Sequence, residues 1–532
     1  EPKERYETHH DKRKRKEANG EISPTVLSKI EWMNKRGPYL GIVAPNNFEL
    51  NPLLASQAYV PYPSLPFIDF AGRRFRFGKI SNQRVVIVMT GLGVVNAGVA
   101  TQLLVSLFRL KGVLHYGIAG NADVNLEIGD VTIPKYWAHS GLWNWQRYGD
   151  GIDDELALEA PGDYTRDIGY LQFSKYTNGS DNLLNRVWYQ PEEIFPVTGT
   201  PEVREHIFWV PVDKSYLNLA RQLEDTKLPQ CVNTTCLPRP PKVTIVDRGV
   251  SASVFVDNAA YRTFLRSKFN ATAVEMESAA VALICHQQSI PFVVIRALSD
   301  LAGGGSDMSN EADIFGSLAA QNSVDVLVKF VGLLPPYGSK IQYGAGIDNE
   351  LALEGGGDYT REIGYLEFAK YTNGSDNLLN RIWYQPEEIF PVTGTPEVRV
   401  DEYFLDIASK LENTKLPQCV NTTCLPRPPK VTIVDKGVSA SVFVDNAAYR
   451  TFLRSKFNAT AVEMESAAVA LISHEQNIPF IVRALSDLAG GGSEISNEAD
   501  IFGSLAAVNS VDVLVKFVGL LPQYRGSKVQ SE

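Results

Sequence analysis

The segment ATAVEMESAAVALI occupies residues 271–284 and recurs unchanged at residues 459–472. It lies inside a much longer repeat. YGDGIDDELALEAPGDYTRDIGYL from Tyr148 returns as YGAGIDNELALEGGGDYTREIGYL from Tyr343, and near-identity continues to the C-terminus at offsets of 195, then 188, then 187 residues. Two deletions account for the falling offset: seven residues around REHIFWVPVDKSY, and one that turns PFVVIRALSD (291–300) into PFIVRALSD (479–487). A period near 190 is far longer than any solenoid unit, so the pattern reads as a duplicated half-domain. What precedes it, residues 39–147, occurs once. The chain therefore carries two second halves and a single first half.

The once-only stretch alternates short β-rich runs, YLGIVA (39–44), RVVIVMT (84–90), GVLHYGIAG (112–120) and DVTIP (130–134), with the helical pattern NAGVATQLLVSLFRL (96–110). In that pattern Ala100, Leu103, Leu104, Leu107 and Phe108 share one face. In the repeated half, PKVTIVD (241–247) and PFVVIRALSD read as strands flanking a helix that contains the opening segment. Strand and helix in alternation predict an α/β fold with a mostly buried sheet.

A chain of 532 residues would ordinarily hold about three domains. Its 44 % apolar content is ample for packed cores, and its net charge of −10 argues against a general nucleic-acid binder, whose phosphate contacts need a basic surface. Small molecules are the expected partners. No uninterrupted run of about 18 apolar residues is found, so no membrane span is expected. Residues 1–38 are polar and basic, with DKRKRK at 11–16 and no apolar h-region, and read as a solvated, disordered leader.

CVNTTC occurs at Cys231–Cys236 and again at Cys419–Cys424. Without a nearby His or a second CxxC this spacing is a poor zinc site and a plausible short-loop disulfide. Six Asn-x-Ser/Thr sequons, at Asn178, Asn233, Asn270, Asn373, Asn421 and Asn458, add an expectation of a secretory route, vacuolar or extracellular. The glycines of GLG (91–93) and AGGGS (302–306) fit neither a dinucleotide nor a P-loop pattern and read as turns. His139, among Tyr136, Trp137 and Trp143, reads as a packed histidine. Neither a metal nor a cofactor is implied.

Four motifs in order, TGLGVVNAGVATQLL (90–104), YGIAGNADVNLEIGDVTIP (116–134), AVEMESAAVALI (273–284) and VIRALSD (294–300), resemble the nucleoside phosphorylase and nucleosidase superfamily. Within it they are most similar to methylthioadenosine/S-adenosylhomocysteine nucleosidases. YWAHSGLWNWQRYGDG (136–151), VWYQPEEIFPV (187–197) and SASVFVDNAAYR (251–262) resemble its plant branch, the bark and vegetative storage proteins and their wound-inducible relatives. The resemblance implies a three-layer α/β/α domain with a central mixed sheet over 39–338, plus a partial C-terminal duplicate over 343–532. It also implies a purine nucleoside or cytokinin-like ligand, with a homo-oligomer as one possible assembly.

N-glycosidic cleavage needs a proton for the departing base, acceptors for the ribose hydroxyls and a positioned nucleophile. The resemblance assigns the proton donor to Asp300, preceded by Ser299 of the same SD motif, the ribose carboxylate to Glu277, the residue beneath the sugar to Met276, and the base-stacking aromatic to Phe255. Neighbouring Glu275 reads as a solvent-facing helix-start residue. GIVAPNNFELNP (41–52) offers no cation for phosphate but presents Glu49, which with Arg296 would hold a water, so hydrolysis is favoured over phosphorolysis. The serine that family members place in the GSAGG turn is Ile118 here, in GIAGN, and a branched alkyl group cannot hold water. The second copy retains Phe443, Met464, Glu465, Arg483 and Asp487 but no counterpart of Glu49 or the glycine turn, and is expected to be inactive. Two functions fit: a nucleosidase-like hydrolase or nucleoside binder, and a storage or wound-responsive protein that keeps the fold without turnover.

Overall fold

The computed structural model describes residues 23–145, 170–172, 186–189, 192–198, 203–232, 234–304, 311–335, 365–367, 381–383, 387–390, 393–395, 398–420, 422–444, 446–475, 478, 483–489 and 498–521. The chain divides into two compact units, Glu1–Asn144 with Tyr164–Glu397, and Trp145–Asp163 with Val398–Glu532.

The first unit opens with helix α1 (Pro24–Asn34), whose proline sits in its first turn, where no backbone donor is lost. This corrects the reading of 1–38 as a disordered leader: Ile30 and Met33, one helical face, are buried in the main core. The elements that follow are β1 (Tyr39–Ala44), α2 (Asn47–Ala55), β2 (Tyr59–Pro61), β3 (Phe67–Phe70), β4 (Arg73–Ile80), β5 (Gln83–Met89), α3 (Gly93–Leu107), β6 (Leu110–Asn121) and β7 (Val131–His139). After them come β8 (Val210–Pro211), α4 (Lys214–Ala220), β9 (Val243–Ser251), α5 (Ala259–Phe269), β10 (Ala271–Glu275), α6 (Ser278–Gln287), β11 (Phe292–Leu301) and α7 (Glu311–Leu333).

All eleven strands join one mixed sheet in the order β8-β7-β9-β10-β6-β1-β5-β4-β2, with β11 between β6 and β7 and β3 on β4. β1 is parallel to β5 and β6, and β11 is parallel to β6, whereas β10 runs antiparallel to β6 and β11 antiparallel to β7. The pairings β6–β11–β7–β9–β10–β6 close on themselves, so β6 is the strand that ties the closed part to the open part.

Helices cover both faces. Leu104 of α3 lies over Gly41 beside Val113, while the adjacent Gly112 faces Tyr216 of α4, and neighbouring strand residues point to opposite sides. α3 packs on α6, and α7 packs on α2 and α4 as well as on β11 and β6. Strands buried on both faces explain the unbroken apolar runs YLGIVA and FVVI.

The opening segment is not one helix. Ala271–Glu275 is strand β10, and helix α6 starts only at Ser278. β10 starts directly after the left-handed Asn270 cap of α5 and is fixed as a strand by its pairing with β9 and β6, and the Met-Glu-Ser corner then turns the chain into α6. Asn270 and its twin Asn458 thus have a structural reason to be asparagine; the other four sequons lie outside the described residues. Gly91, Gly93, Gly303 and Gly304 all take positive φ, in keeping with their reading as turns. Cys231–Cys236 and Cys419–Cys424 are disulfides, each across a two-stranded ribbon.

The second unit holds α8 (Glu402–Ser409), β12 (Lys436–Ser439), α9 (Ala447–Phe457), β13 (Ala459–Glu463), α10 (Ser466–Glu475) and α11 (Glu498–Leu520). β12 and β13 pair in parallel, as their twins β9 and β10 do, but form a sheet of two. Its core is small: Ile407, Leu411, Val513 and Phe517. Phe502–Leu520, with a mean hydropathy of 1.4, is long and apolar enough to cross a membrane by length and composition. Asp512 and Lys516 interrupt it, so no uninterrupted apolar run marks it in the sequence. Its near-identical twin α7 is a core helix with Val324, Leu327 and Val331 buried.

Burying such side chains contributes roughly 1.5–3 kcal/mol each, and the first unit does this without α11. A chain shortened to residues 1–340 is therefore expected to keep one cooperative thermal transition, followed by circular dichroism, within a few degrees of the main transition of the full chain. Loss of that transition would show that residues 341–532 are needed to hold up what precedes them.

Candidate functional site

Arg296, in the middle of β11, is fully buried. Its Nη2 reaches Glu275 Oε2 at 3.1 Å and Ser278 Oγ at 3.1 Å, and faces Nε2 of His115 on the neighbouring strand β6. His115 Nδ1 lies 2.9 Å from the carbonyl of Val43, an acceptor, so Nδ1 carries the proton and Nε2 accepts from the guanidinium. Burial, and then the charge of Arg296, hold the His115 pKa well below the ordinary histidine value, so the ring is neutral.

Glu49 comes from the first turn of α2, whose N-cap Asn46 accepts from Phe48 N at 2.8 Å. Its Oε1 accepts from the backbone of Ile118 at 2.7 Å. A Cβ at Gly117 would collide with both Glu49 Oε1 and Arg296 Nη1, so glycine is what lets carboxylate and guanidinium close on β6 from either side. Glu277 stands at the N-cap position of α6, not one turn inside it, and its Oε1 accepts from Gly93 N at the start of α3, where φ is +85°. One carboxyl oxygen of each, Glu49 Oε2 and Glu277 Oε2, is buried without a hydrogen-bond partner.

Glu275 is the principal correction. Read from sequence as solvent-facing, it is the buried last residue of β10, with its side chain 1 % exposed. It accepts from Ser251 Oγ and from the backbone N–H groups of Glu277 (3.1 Å) and Ser278 (3.0 Å). No local pattern marks Glu275 as a strand residue: all five residues of ATAVE are buried, without polar–apolar alternation. His115 was also missed; a histidine within an apolar strand run was its only signal.

Of the remaining expected residues, Met276 is buried against Leu92. Asp300 lies at the end of β11 opposite Gly120, just past a register shift, and accepts from Ser299 Oγ at 2.5 Å. Phe255 is not drawn in: it stands 53 % exposed on the loop between β9 and α5. His139 is packed, as expected, with Nδ1 2.6 Å from Glu192 Oε1.

Three buried carboxyls, Glu49, Glu275 and Glu277, therefore feel the charge of one buried guanidinium. Burial first, then Glu275, raises the Glu277 pKa well above 4.5. Burial also raises Glu49 well above 4.5, against the pull of Arg296. Glu275 is raised by burial to about 7, with Arg296 and Ser251 opposing. Such groups hold protons that the unfolded chain has released above about pH 4.5, so their contribution to stability is complete below that pH and is lost as pH rises through the folded-state pKa.

In the second copy the counterpart pair is open to water: Arg483 reaches Glu465 Oε2 at 2.8 Å with side chains 45 % and 66 % exposed, and also pairs with Glu463. There burial still favours the neutral form of Glu463, but hydrogen bonds from Ser439, Glu465 N and Ser466 prevail and its pKa is lowered. Phe443, Met464 and Asp487 are each half-buried, with Ser486 Oγ 2.5 Å from Asp487 Oδ1.

A mixed sheet with a closed limb, carrying a buried arginine within β11 and a buried carboxyl at the end of β10, defines an α/β protein of nucleoside phosphorylase type. The chain belongs to the Phosphorylase superfamily, whose pattern matches residues 39–332 and again 422–519. It is 32 % identical over 313 residues to bark storage protein A of Populus deltoides, covering 58 % of this chain and 94 % of that protein. It is 26 % identical over 264 residues to the 5'-methylthioadenosine/S-adenosylhomocysteine nucleosidase of Staphylococcus epidermidis, covering 49 % and 89 %. The crystal structure of the Campylobacter jejuni 5'-methylthioadenosine/S-adenosyl homocysteine nucleosidase matches with a TM-score of 0.39 at 22 % identity, covering 56 % of this chain and all of that one.

Replacing Glu277 by Gln keeps its shape and removes the ionisation. Glu277→Gln is expected to raise the thermal midpoint relative to the parent increasingly as pH is taken from 5 to 8, read by differential scanning calorimetry. A difference that shrinks toward pH 8 would contradict the protonated, buried state.

Proposed function

We propose that the first unit is a purine nucleoside site built for hydrolysis of the N-glycosidic bond, with turnover restrained by Ile118. The observation that carries this reading is the pair of unpartnered buried carboxyl oxygens, Glu49 Oε2 and Glu277 Oε2. A buried polar atom without a partner costs about 1–3 kcal/mol, and a ligand hydroxyl or a water relieves it.

In the proposed step Glu277 accepts hydrogen bonds from the ribose hydroxyls above Met276, and Asp300, held by Ser299, gives its proton to the purine as the bond to C1' breaks. A water adds to C1' and passes its proton to Glu49, so that nucleoside and water yield free base and ribose. Once ionised, a carboxylate with a raised pKa is the stronger base. Its negative charge in so buried a position disfavours phosphate as nucleophile. Ile118, whose backbone Glu49 holds, brings an alkyl group where family members are expected to carry a water-binding serine.

The same isoleucine, together with the 32 % identity to a bark storage protein, favours a second reading: a storage or wound-responsive protein that binds a nucleoside or cytokinin-like ligand with little turnover. A secretory route, vacuolar or extracellular, is proposed alongside it. Disulfides such as Cys231–Cys236 and Cys419–Cys424 persist in oxidising compartments.

Base release from 5'-methylthioadenosine, adenosine and inosine, with and without phosphate, tests both. Release is expected to be independent of phosphate, to fall on the order of 10²-fold or more in Asp300→Asn, and to rise in Ile118→Ser with ligand affinity little changed. Strict phosphate dependence would overturn the hydrolytic reading. No release by either the parent or Ile118→Ser, with binding intact, would favour the storage reading.

A further inference from the structure

Helix α11 repeats α7 over all 23 positions with one change, Val508 in place of Gln321. In α7 opposite sides are both covered: Asn322, Val326 and Phe330 on one, Val324, Leu327 and Val331 on the other. This sequence is therefore a core helix in the first unit, with Ser317, Lys329 and Gly332 left exposed on a third side. In α11 only one side is covered. Leu505, Asn509, Val513 and Phe517, at i, i+4 spacing, are buried, with the Phe517 ring 5.2 Å from that of Phe404 on α8. On the other side Val508, Val511, Leu514, Val515 and Val518 are each between 49 % and 64 % exposed. At about 100° per residue these five form one stripe roughly 120° wide.

We infer that this stripe is a dimer face, occupied by the same stripe of a second copy of the chain. Three observations favour that occupant. The stripe carries no charge: Asp512 and Lys516 lie outside it and pair with each other at 2.7 Å, so two copies meet without repulsion. The single change from α7 replaces Gln321, which bonds Asp325 there, with Val508, lengthening the apolar stripe by a turn on the side that has lost its sheet. Five half-open branched side chains make a patch on the scale of the few hundred Å² that marks interaction sites. Two such faces related by a twofold close on themselves and leave no further face to extend the assembly. Their combined area falls at the low end for specific interfaces, below about 1,200 Å², which sets a concentration-dependent dimer and not an obligate one.

Sedimentation velocity of the full-length chain over roughly 0.1–100 μM tests the inference, with a monomer–dimer equilibrium of micromolar order expected. Val511→Glu with Val515→Glu is expected to weaken it at least tenfold, because like charges facing across an interface cost several kcal/mol. Far-UV circular dichroism and the thermal midpoint should stay at parent values, since these side chains touch little in the monomer. Mixing Val515→Lys with Val515→Glu is expected to restore association that each lacks alone, which only a second copy at the same face would do. A chain that stays monomeric throughout, a double variant that dimerises unchanged, or sedimentation seen only with phosphatidylcholine vesicles would each overturn the proposal.

Discussion

The buried guanidinium of Arg296 is the interaction on which the site depends. A charge taken this far from water is tolerated only when paired and hydrogen-bonded. Its pairing with Glu275 and Ser278 lies within the second half of the domain, but its enclosure does not. His115, the glycine gap at Gly117 and the Glu49 carboxyl all come from the first half, as does Gly93 N, which donates to Glu277. Strand β6 supplies His115 and Gly117, and it is also the strand where the closed and open limbs of the sheet meet. Fold and site therefore share one structural element.

The duplicate shows what that element is worth. Arg483, Glu463 and Glu465 repeat the arginine and its two carboxylates, and Ser439 and Ser466 repeat the hydrogen-bonding serines. Without a β6, the arginine is open to water and binds the exposed Glu465 and the half-buried Glu463, and Glu463 shifts toward the ionised form, where buried Glu275 shifts toward the protonated one. The same residues thus make an ordinary surface ion pair in one place and a proton-holding pocket in the other. Surface pairs of this kind contribute about 0–1 kcal/mol and do no chemistry by themselves.

Much of this was legible in the sequence. Apolar runs located β1, β5, β6 and β11, and the repeat showed that two second halves share a single first half. Glu49, Glu277 and Arg296 were found through motifs, and the structure brings them together. Glu275 was misread because VEMES looks like a helix start, whereas the corner at Met276 ends a strand; only the pairing of β10 with β6 and β9 decides this, and pairing is not written locally. Helix α1 was missed because its basic surroundings outweighed the spacing of Ile30 and Met33. Phe255 had the right motif but stands in a loop whose orientation no local pattern fixes.

Residues 271–275 and 459–463 have the same sequence and the same neighbours on both sides, so their amides share intrinsic exchange rates, and any difference in protection measures what the first half adds. Peptic fragments that run on to Cys285 or Ser473 differ in mass, which allows hydrogen exchange of the two copies to be followed in one sample. Buried strands of a cooperative domain open with free energies near the global value, so the first copy is expected to exchange at least about 10²-fold more slowly than the second. Equal protection of the two segments would show that the second copy is completed as fully as the first, and would contradict an account in which one first half makes one site.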